Sequence, residues 1–334
     1  MNLQRNVLLK KSLLLLILIL IILFPLLSPS PYLTHISILI LIWSSISTAW
    51  SYMGRFGMVS LCHGAFIGIA AYITAILFNY YSLIPLVGML IGLLAVIVVA
   101  GVSGYACFRF GIIGHYFAIT TLVITELVSL VIIVCRDITG GRLGYTINSI
   151  GPLPLYKEII YLQFVDKTGF YYLALVLLLL TLYIWRKIDK GKTMVGLTAI
   201  GDDEEASSCI GLNIVRYKTA MFVISAAITG VGGILYAQYT MYLNPITMVG
   251  AGASLSIVFK SILGGMFTLW GPTIGTLIII AMEEYVRVFF GAEYIGWSII
   301  GYGITIIILI IFFPQGIYGT LREVLSKRQK HRIY

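Results

Sequence analysis

The chain has 334 residues, of which 60% are hydrophobic and only 10% are charged, and its mean hydropathy is +1.01. Soluble domains carry about 25% charged residues, so this composition excludes an ordinary water-soluble protein and predicts one that crosses a lipid bilayer. The net charge is +9, but the basic residues lie in short clusters beside apolar runs. No extended basic face is predicted, which excludes a nucleic-acid-binding function.

Long apolar runs predict an all-α, polytopic transmembrane bundle, because about 20 apolar residues span the hydrocarbon core. The first run follows Arg5, Lys10 and Lys11 and resembles a signal peptide, but no small-residue cleavage site follows it. We therefore interpret it as an uncleaved helix. The ten predicted spans are residues 12–28, 33–52, 58–78, 83–107, 112–134, 170–186, 215–238, 250–267, 272–290 and 295–313.

The basic clusters predict how the bundle is oriented, because Lys and Arg concentrate in short cytoplasmic loops. Ten spans place each of these clusters, and both termini, on the cytoplasmic side of a single permease domain over residues 1–334. Residues 135–169 are then an external loop, although it contains four basic residues. The clusters predicted to be cytoplasmic are Arg5 with Lys10 and Lys11, Arg55, Arg109, Arg186 to Lys192, and Lys327 to Arg332.

A polar stretch over residues 187–218 interrupts the membrane pattern on the predicted cytoplasmic side. At its centre are four adjacent acids, Asp202, Asp203, Glu204 and Glu205. An acidic run is favoured at any solvated helix start by the helix dipole. The run alone therefore does not identify a docking element.

Two segments, residues 57–71 and 250–275, are unusually rich in Gly, Ala and Ser. Small residues let helices pack closely in a membrane, and they also occur where a helix breaks and presents backbone groups to a solute. Both interpretations stay open at this stage. We expect broken or short Gly-rich helices here, one in each half of the chain.

From Ala199 to Ala237 the chain reads AIGDDEEASSCIGLNIVRYKTAMFVISAAITGVGGILYA. This segment resembles the cytoplasmic coupling segment and the next helix of branched-chain amino acid (LivM-type) ABC transporter permeases. It contains Glu205-Ala206-x(4)-Gly211, the family's E-A-A-x(3)-G arrangement with serine in third place, which in ABC importers forms a short helix that docks into the ATPase. Further blocks similar to the family follow its order: GRFGMVSLCHGAFIGIAAY (54–72), YFAITTLVITE (116–126), Thr139-Gly140-Gly141 and LGGMFTLWGPTIG (263–275).

The resemblance implies the permease subunit of an ABC importer for a small polar solute, with branched-chain or other amino acids expected. It also implies a second homologous permease subunit, two ABC ATPases and an extracytoplasmic solute-binding protein. ATP and magnesium would be used by the ATPases, and no cofactor is expected on this chain. Gly191-Lys192-Thr193 looks like the end of a Walker A motif, but Arg186 stands where its first glycine should be. The residues to which the resemblance gives an ATPase-coupling role are Asp202, Asp203, Glu204, Glu205, Ala206 and Gly211.

Polar residues within predicted spans are candidates for contact with the solute, because an ionisable group is costly there. For Glu126, Lys260 and His63 the alternative is a structural pair, a snorkelling side chain or a bond to a helix end. For the hydroxyls, Ser254 included, the alternative is a bond back to their own helix. The candidates for the solute path are Ser60, His63, Thr120, Thr121, Glu126, Ser256 and Lys260.

The chain departs from the family pattern within these blocks. Related sequences often carry an acid near Ser256, an apolar residue near Lys260, and Gln and Gly in place of Met58 and Cys62. Urea, amides and nucleosides therefore stay open as substrates. A stand-alone secondary transporter with Glu126 and Lys260 as an ion relay is a further alternative, but it gives the acidic segment no role.

An enzyme or a metal site is not predicted. The four cysteines have no paired spacing, and the four histidines lie on different segments without metal-ligand spacing. These residues are Cys62, Cys107, Cys135 and Cys209, and His35, His63, His115 and His331.

Overall fold

A computed structural model describes residues 30–151 and 154–290, together with residues 21, 23–26, 303–304 and 316–320. The predicted spans 12–28 and 295–313 and the basic tail after residue 326 lie wholly or largely outside the described residues. Over the described part the chain is an α-helical bundle, which confirms the predicted fold class.

The elements follow one another with short connections. In chain order they are α1 (Pro31–Gly54), α2 (His63–Tyr81), α3 (Pro85–Arg109), α4 (Gly114–Val134), α5 (Arg136–Thr139), a 3-10 helix (Gly141–Leu143), β1 (Tyr145–Thr146), α6 (Leu155–Tyr161), α7 (Lys167–Lys190), α8 (Lys192–Asp202), α9 (Glu204–Cys209), α10 (Ile214–Thr240), β2 (Tyr242–Leu243), α11 (Pro245–Met248), α12 (Ala251–Gly264) and α13 (Gly271–Phe290).

Seven segments of the described chain are long and apolar enough to cross a membrane, and each corresponds to a predicted span. The predicted span 272–290 also forms a helix, α13. It is not among these seven apolar segments, because it contains the charged residues Glu283, Glu284 and Arg287 near its end. The described residues thus support a multi-pass protein, and the total of ten spans stays a prediction. The seven are α1, α2, α3, α4, α7, α10 and Pro245–Gly264.

The centre of the bundle is formed by α1 and α10. Helix α10 packs against α1, α2 and α3, and α1 also packs against α7, α12 and α13. The second half of α1 is buried along its whole circumference from Ser44 to Gly54, as expected for a helix surrounded by others. Helices α3 and α4 are peripheral, and much of their apolar surface is exposed.

Two predicted spans are interrupted, at the small-residue segments. In the predicted span 58–78, the helix begins only at His63, and residues 58–62 are not helical. In the predicted span 250–267, helix α12 covers only residues 251–264, and a separate short helix, α11, precedes it. Of the two interpretations, close packing is supported, because the two segments contact one another. That they present backbone groups to a solute stays a prediction. A Cβ on Gly64 would collide with the backbone carbonyl of Val249.

The predicted external loop and the predicted cytoplasmic segment lie at opposite ends of α10. Strand β1, within residues 135–169, pairs antiparallel with β2, which directly follows α10, and Tyr145 lies opposite Leu243. The short helix α9 directly precedes α10. Because α10 has 27 residues, its ends are about 40 Å apart, enough to separate the two faces of a bilayer.

Candidate functional site

The break between α1 and α2 is held by hydroxyls of α4. The Leu61 backbone N–H donates to Thr121 Oγ1 at 2.9 Å, and the Leu61 carbonyl accepts from Thr125 Oγ1 at 2.6 Å. Backbone groups freed by a broken helix need such partners in a membrane. Thr121, a predicted solute contact, therefore binds the protein's own backbone in this state.

Ser60 and His63 also bond within the protein. Ser60 Oγ accepts from the Cys62 N–H at 3.2 Å. His63 Nε2 lies 2.8 Å from Ser225 Oγ, and that hydroxyl donates to the Ala49 carbonyl at 2.7 Å. The Ser225 oxygen must then accept from His63, which assigns the ring proton to Nε2. His63 thus joins α2 to α10 and, through Ser225, to α1.

Glu126 lies at the start of the second interrupted helix. Its Oε1 accepts from the Ala251 backbone N–H of α12 at 2.8 Å, while the N-cap residue Gly250 provides no side-chain cap. A carboxylate at this position satisfies a free N–H and complements the positive end of the helix dipole. Glu126 is exposed in the single chain. The site is therefore open toward the surface of α4.

The two interrupted helices meet beside this carboxylate. The Gly64 N–H, in the first turn of α2, donates to Ser254 Oγ in the first turn of α12 at 2.9 Å. We call the group formed by Gly64, Thr121, Glu126, Ala251 and Ser254 the helix-break cluster. Its members join the starts of α2 and α12 to α4; Thr121 and Ser254 are buried, and Glu126 is exposed.

The other predicted solute contacts lie outside the cluster. Lys260 is 3% exposed, and its Nζ lies 4.4 Å from the centroid of the Trp43 ring; within the described chain it has no ion pair. It is nine residues after Ala251, about 14 Å along α12. The Thr120 hydroxyl donates back to the Tyr116 carbonyl at 2.8 Å, and the hydroxyl of half-buried Ser256 makes no hydrogen bond to any described residue.

Three residues of this region were missed in the sequence analysis. The role of Thr125 could have been predicted, because it follows Thr121 by four residues and so lies on the same face of α4. No pattern in the sequence pointed to Ser225 or Trp43. Their partners, His63 and Lys260, are far away in the chain and become neighbours only in the packed bundle.

The predicted coupling motif forms a short helix that is capped at both ends. At its start, Asp203 Oδ1 accepts from the Ala206 N–H at 3.0 Å. At its end, Gly211 has φ +86°, and its N–H donates to the Ser208 carbonyl at 3.0 Å. A left-handed residue after a helix is best supplied by glycine. The sequence thus fixes the geometry of α9 although it has only six residues.

The four acids of this motif have different environments. Asp203 caps α9, and Glu204 forms an ion pair with Lys218, a buried residue in the first turns of α10. Asp202 and Glu205 are exposed, and their carboxylates make no ion pair with described residues. Two of the four acids are therefore engaged within the protein, and the other two are exposed. Ala206 is exposed beside Glu205.

A second ion pair holds the same end of the bundle. Arg55, just after α1, donates to Asp189 near the end of α7 at 2.6 Å, and its guanidinium carbon lies 4.1 Å from the Trp185 ring centroid. Burial lowers the pKa of Arg55, while the hydrogen bond to Asp189 acts in the opposite direction. Arginine stays protonated against such a shift. The pair therefore keeps its charges and fixes α1 to α7 beside the coupling motif.

A cavity connects the coupling motif to the first helix break. It has a volume of about 460 Å³ and lies between residues 56–58, the start of α4 and the acidic stretch. Met58 and Phe117 line its apolar side, and Asp203, Glu205 and Lys218 line its polar side.

Comparisons with known proteins agree with this architecture. The chain is 27% identical over 304 residues to the high-affinity branched-chain amino acid transport system permease protein LivM of Salmonella typhimurium, covering 82% of this chain and 67% of LivM. It is 30% identical over 121 residues to the corresponding permease protein LivH of the same organism, covering 36% of this chain and 38% of LivH.

A shorter similarity links the chain to the nucleoside ABC transporter permease protein NupC of Lactococcus lactis, at 28% identity over 139 residues, or 41% of this chain and 40% of NupC. No solved structure was found to match. The family model for the permease component of branched-chain amino acid transport systems matches residues 30–312. This range is most of the chain, and the protein therefore belongs to the branched-chain amino acid transport system permease component family.

Proposed function

We propose that the chain is one permease subunit of an ABC importer in the cytoplasmic membrane, which translocates branched-chain or other amino acids with both its termini in the cytoplasm. It would act with a second permease, two ABC ATPases that use ATP and magnesium, and an extracytoplasmic solute-binding protein. The names of LivM and LivH, two permease proteins of high-affinity branched-chain amino acid transport, support this composition.

The observation that carries the proposal is α9, a capped helix that presents Glu205 and Ala206 on the surface. Surface helices of six residues are marginal by themselves, so two caps and the anchor to Lys218 indicate a structural requirement at this position. A rigid docking element satisfies that requirement. A stand-alone transporter has no partner subunit to which such an element would dock.

The bundle offers a route from α9 to the helix-break cluster. Lys218, which holds Glu204, and Ser225, which holds His63, are seven residues apart on α10 and so lie on one face, two turns apart. Movement of α9 when the ATPases close would shift α10 and with it the start of α2. Nucleotide binding would then shift the population between outward-open and inward-open states.

The helix-break cluster fits an amino acid solute. The backbone N–H groups at the start of α12 suit its carboxylate, and Glu126 suits its ammonium group. Glu126 itself occupies the position at the N-terminus of α12. A solute carboxylate would displace it and leave it free to pair with the ammonium group.

A nucleoside is the second candidate solute, favoured by the similarity to NupC. Nucleosides carry no ammonium and no carboxylate, so this function would not need the Glu126 charge. Other polar residues on the exposed surface of α4 would then form the contacts.

The test is solute uptake by proteoliposomes that contain this chain with its co-encoded permease, ATPases and binding protein. Branched-chain amino acids, other amino acids, urea and nucleosides are compared with and without ATP. We expect ATP-dependent, saturable uptake of amino acids. Nucleoside uptake would select the second candidate. Flux through this chain alone under an ion gradient would contradict the importer function.

A further inference from the structure

A second cavity lies on the outside of the bundle, where the end of α3 meets the start of α10. It has a volume of about 450 Å³, is separate from the cavity beside α9, and has no role in the proposed transport mechanism. Its polar lining comes from two helices: Tyr105 and Arg109 on α3, and Asn213, Arg216 and Thr219 at the start of α10.

The position of this cavity is at the boundary between apolar and polar surroundings. Arg109 is the last residue of α3, and Arg216 is in the first turn of α10, so both guanidinium groups lie at the ends of membrane-spanning segments. Phospholipid headgroups occupy this level of a bilayer. Because α9 precedes α10, the cavity is on the same side of the membrane as the coupling motif.

The cavity concentrates positive charge. Arg109 and Arg216 both line it, and neither takes part in an ion pair among the described residues. No acidic residue is among the described residues that line the cavity. The N-terminus of α10 adds the positive end of a 27-residue helix dipole. The described residues therefore bring two guanidinium groups and a helix N-terminus to one cavity.

The adjoining surface is apolar. Val98, Val102 and Tyr105 follow one another on one face of α3, each is more than half exposed, and the stripe ends at the cavity. Thr219 Oγ1, at the cavity wall, is buried and has no hydrogen-bond partner among the described residues. A ligand that satisfies all of these groups needs an anionic head and an apolar body.

We propose that this cavity binds the phosphate headgroup of an anionic phospholipid, whose acyl chains cover the exposed stripe of α3. Arg109 and Arg216 contact the phosphate oxygens from two helices, in the manner of basic pockets at the cytoplasmic ends of membrane helices. The lipid joins the end of α3 to the start of α10. The leaflet is the cytoplasmic one if the proposed orientation is correct, but the site itself does not depend on the transported solute.

The experiment measures retention of phosphatidylglycerol and of phosphatidylcholine by the purified full-length chain in detergent, using native mass spectrometry. In the double variant R109Q/R216Q we expect phosphatidylglycerol affinity to fall about tenfold or more, because two charge-assisted contacts are lost. The matched control R186Q/K190Q removes two positive charges at the same end of the bundle but outside the cavity. It should retain phosphatidylglycerol like the wild type.

A second variant, R109K/R216K, preserves both charges if the glutamine pair does not fold. Lysine cannot make the bidentate contact, so an intermediate loss of affinity is expected. Equal phosphatidylglycerol affinity in the wild type and in R109Q/R216Q would overturn the proposal, and so would equal losses in R109Q/R216Q and R186Q/K190Q. Displacement of the lipid by inorganic phosphate at the same concentration would identify a soluble anion as the ligand and also overturn it.

Discussion

At the scale of single residues, the carboxylate of Glu126 has two roles, one structural and one proposed for solute binding. It caps helix α12 by accepting from the Ala251 N–H at 2.8 Å, and it is the proposed partner of a solute ammonium group. A glutamine side chain keeps the cap, because its amide oxygen still accepts, but it loses the charge. The two roles can therefore be separated.

In Glu126→Gln we expect the apparent affinity for an amino acid solute to fall about tenfold or more, since a charge-assisted bond is lost. The thermal unfolding midpoint should stay close to that of the wild type. Initial uptake rates over a range of solute concentrations provide the measurement. Unchanged uptake in this variant would leave Glu126 with the capping role alone.

Ser225 is a junction between three helices, because it accepts from His63 and donates to the Ala49 carbonyl. In Ser225→Ala both buried partners lose a bond, and we expect a loss of about 1–3 kcal/mol in the free energy of unfolding. Denaturant unfolding in detergent measures this loss. The control Ser208→Ala removes an exposed hydroxyl on α9 and should change stability by less than about 0.5 kcal/mol. Equal stability of the two variants would contradict the assignment.

The environment of Lys260 could not be predicted at the residue scale. Its position in a small-residue span suggested a solute contact, but the side chain is buried against Trp43 of α1. The sequence shows that an ionisable residue is in the membrane, and it does not show toward which neighbour the residue points. That depends on the rotation of α12 in the bundle. Whether Lys260 influences the solute stays a prediction.

At the scale of elements, the contact between α2 and α12 depends on the absence of a side chain at Gly64. A Cβ there would collide with the Val249 carbonyl and would lie 2.8 Å from Ser254 Oγ. In Gly64→Ala we expect a loss of about 1–3 kcal/mol in stability, because neither backbone can move aside cheaply.

Gly252 provides the matched control, because a Cβ at this position in α12 would meet no atom within 4 Å. Gly252→Ala should be neutral or slightly stabilising, since alanine is the better helix former. Thermal unfolding of the two variants in one detergent compares them. A smaller effect at Gly64 than at Gly252 would refute the close approach of the two helices.

The anchor of α9 is a second feature at this scale. In Lys218→Gln and in Glu204→Gln, we expect α9 to lose its fixed position on α10, so that the amount of solute imported per ATP hydrolysed falls several-fold. The double variant should be no worse than either single variant, because all three remove one interaction. Parallel assays of uptake and phosphate release make this comparison. Additive losses would show that the two residues act separately.

The spans were predictable as elements because the length of an apolar run alone determines whether it can cross a bilayer. The helix breaks were harder to predict, because glycine favours both close helix packing and helix interruption. The glycines in residues 57–71 and 250–275 did not show which of the two applies. The pairing of Glu204 with Lys218 was also beyond the sequence. It requires α9 to fold back onto the start of α10 after the left-handed turn at Gly211.

At the scale of the whole molecule, the chain combines a bundle whose helices α2 and α12 are interrupted with a short capped helix, α9, at one surface. The family match and the similarity to LivM concern the bundle as a whole, while α9 is the element that would connect it to other proteins. The exposed surface of α4, with Glu126 on it, is where we expect the second permease to complete the solute path.

The most direct test of the importer function compares ATP-driven uptake and ATPase co-purification for the wild-type complex and for Glu205→Ala. We expect this variant to lose most of both, because Glu205 is exposed, makes no ion pair with described residues and stands at the start of α9, the proposed docking element. The control Glu158→Ala changes an acid in the predicted external loop and should retain both. Wild-type uptake and normal co-purification of the ATPase in Glu205→Ala would contradict the role of α9 as the coupling element.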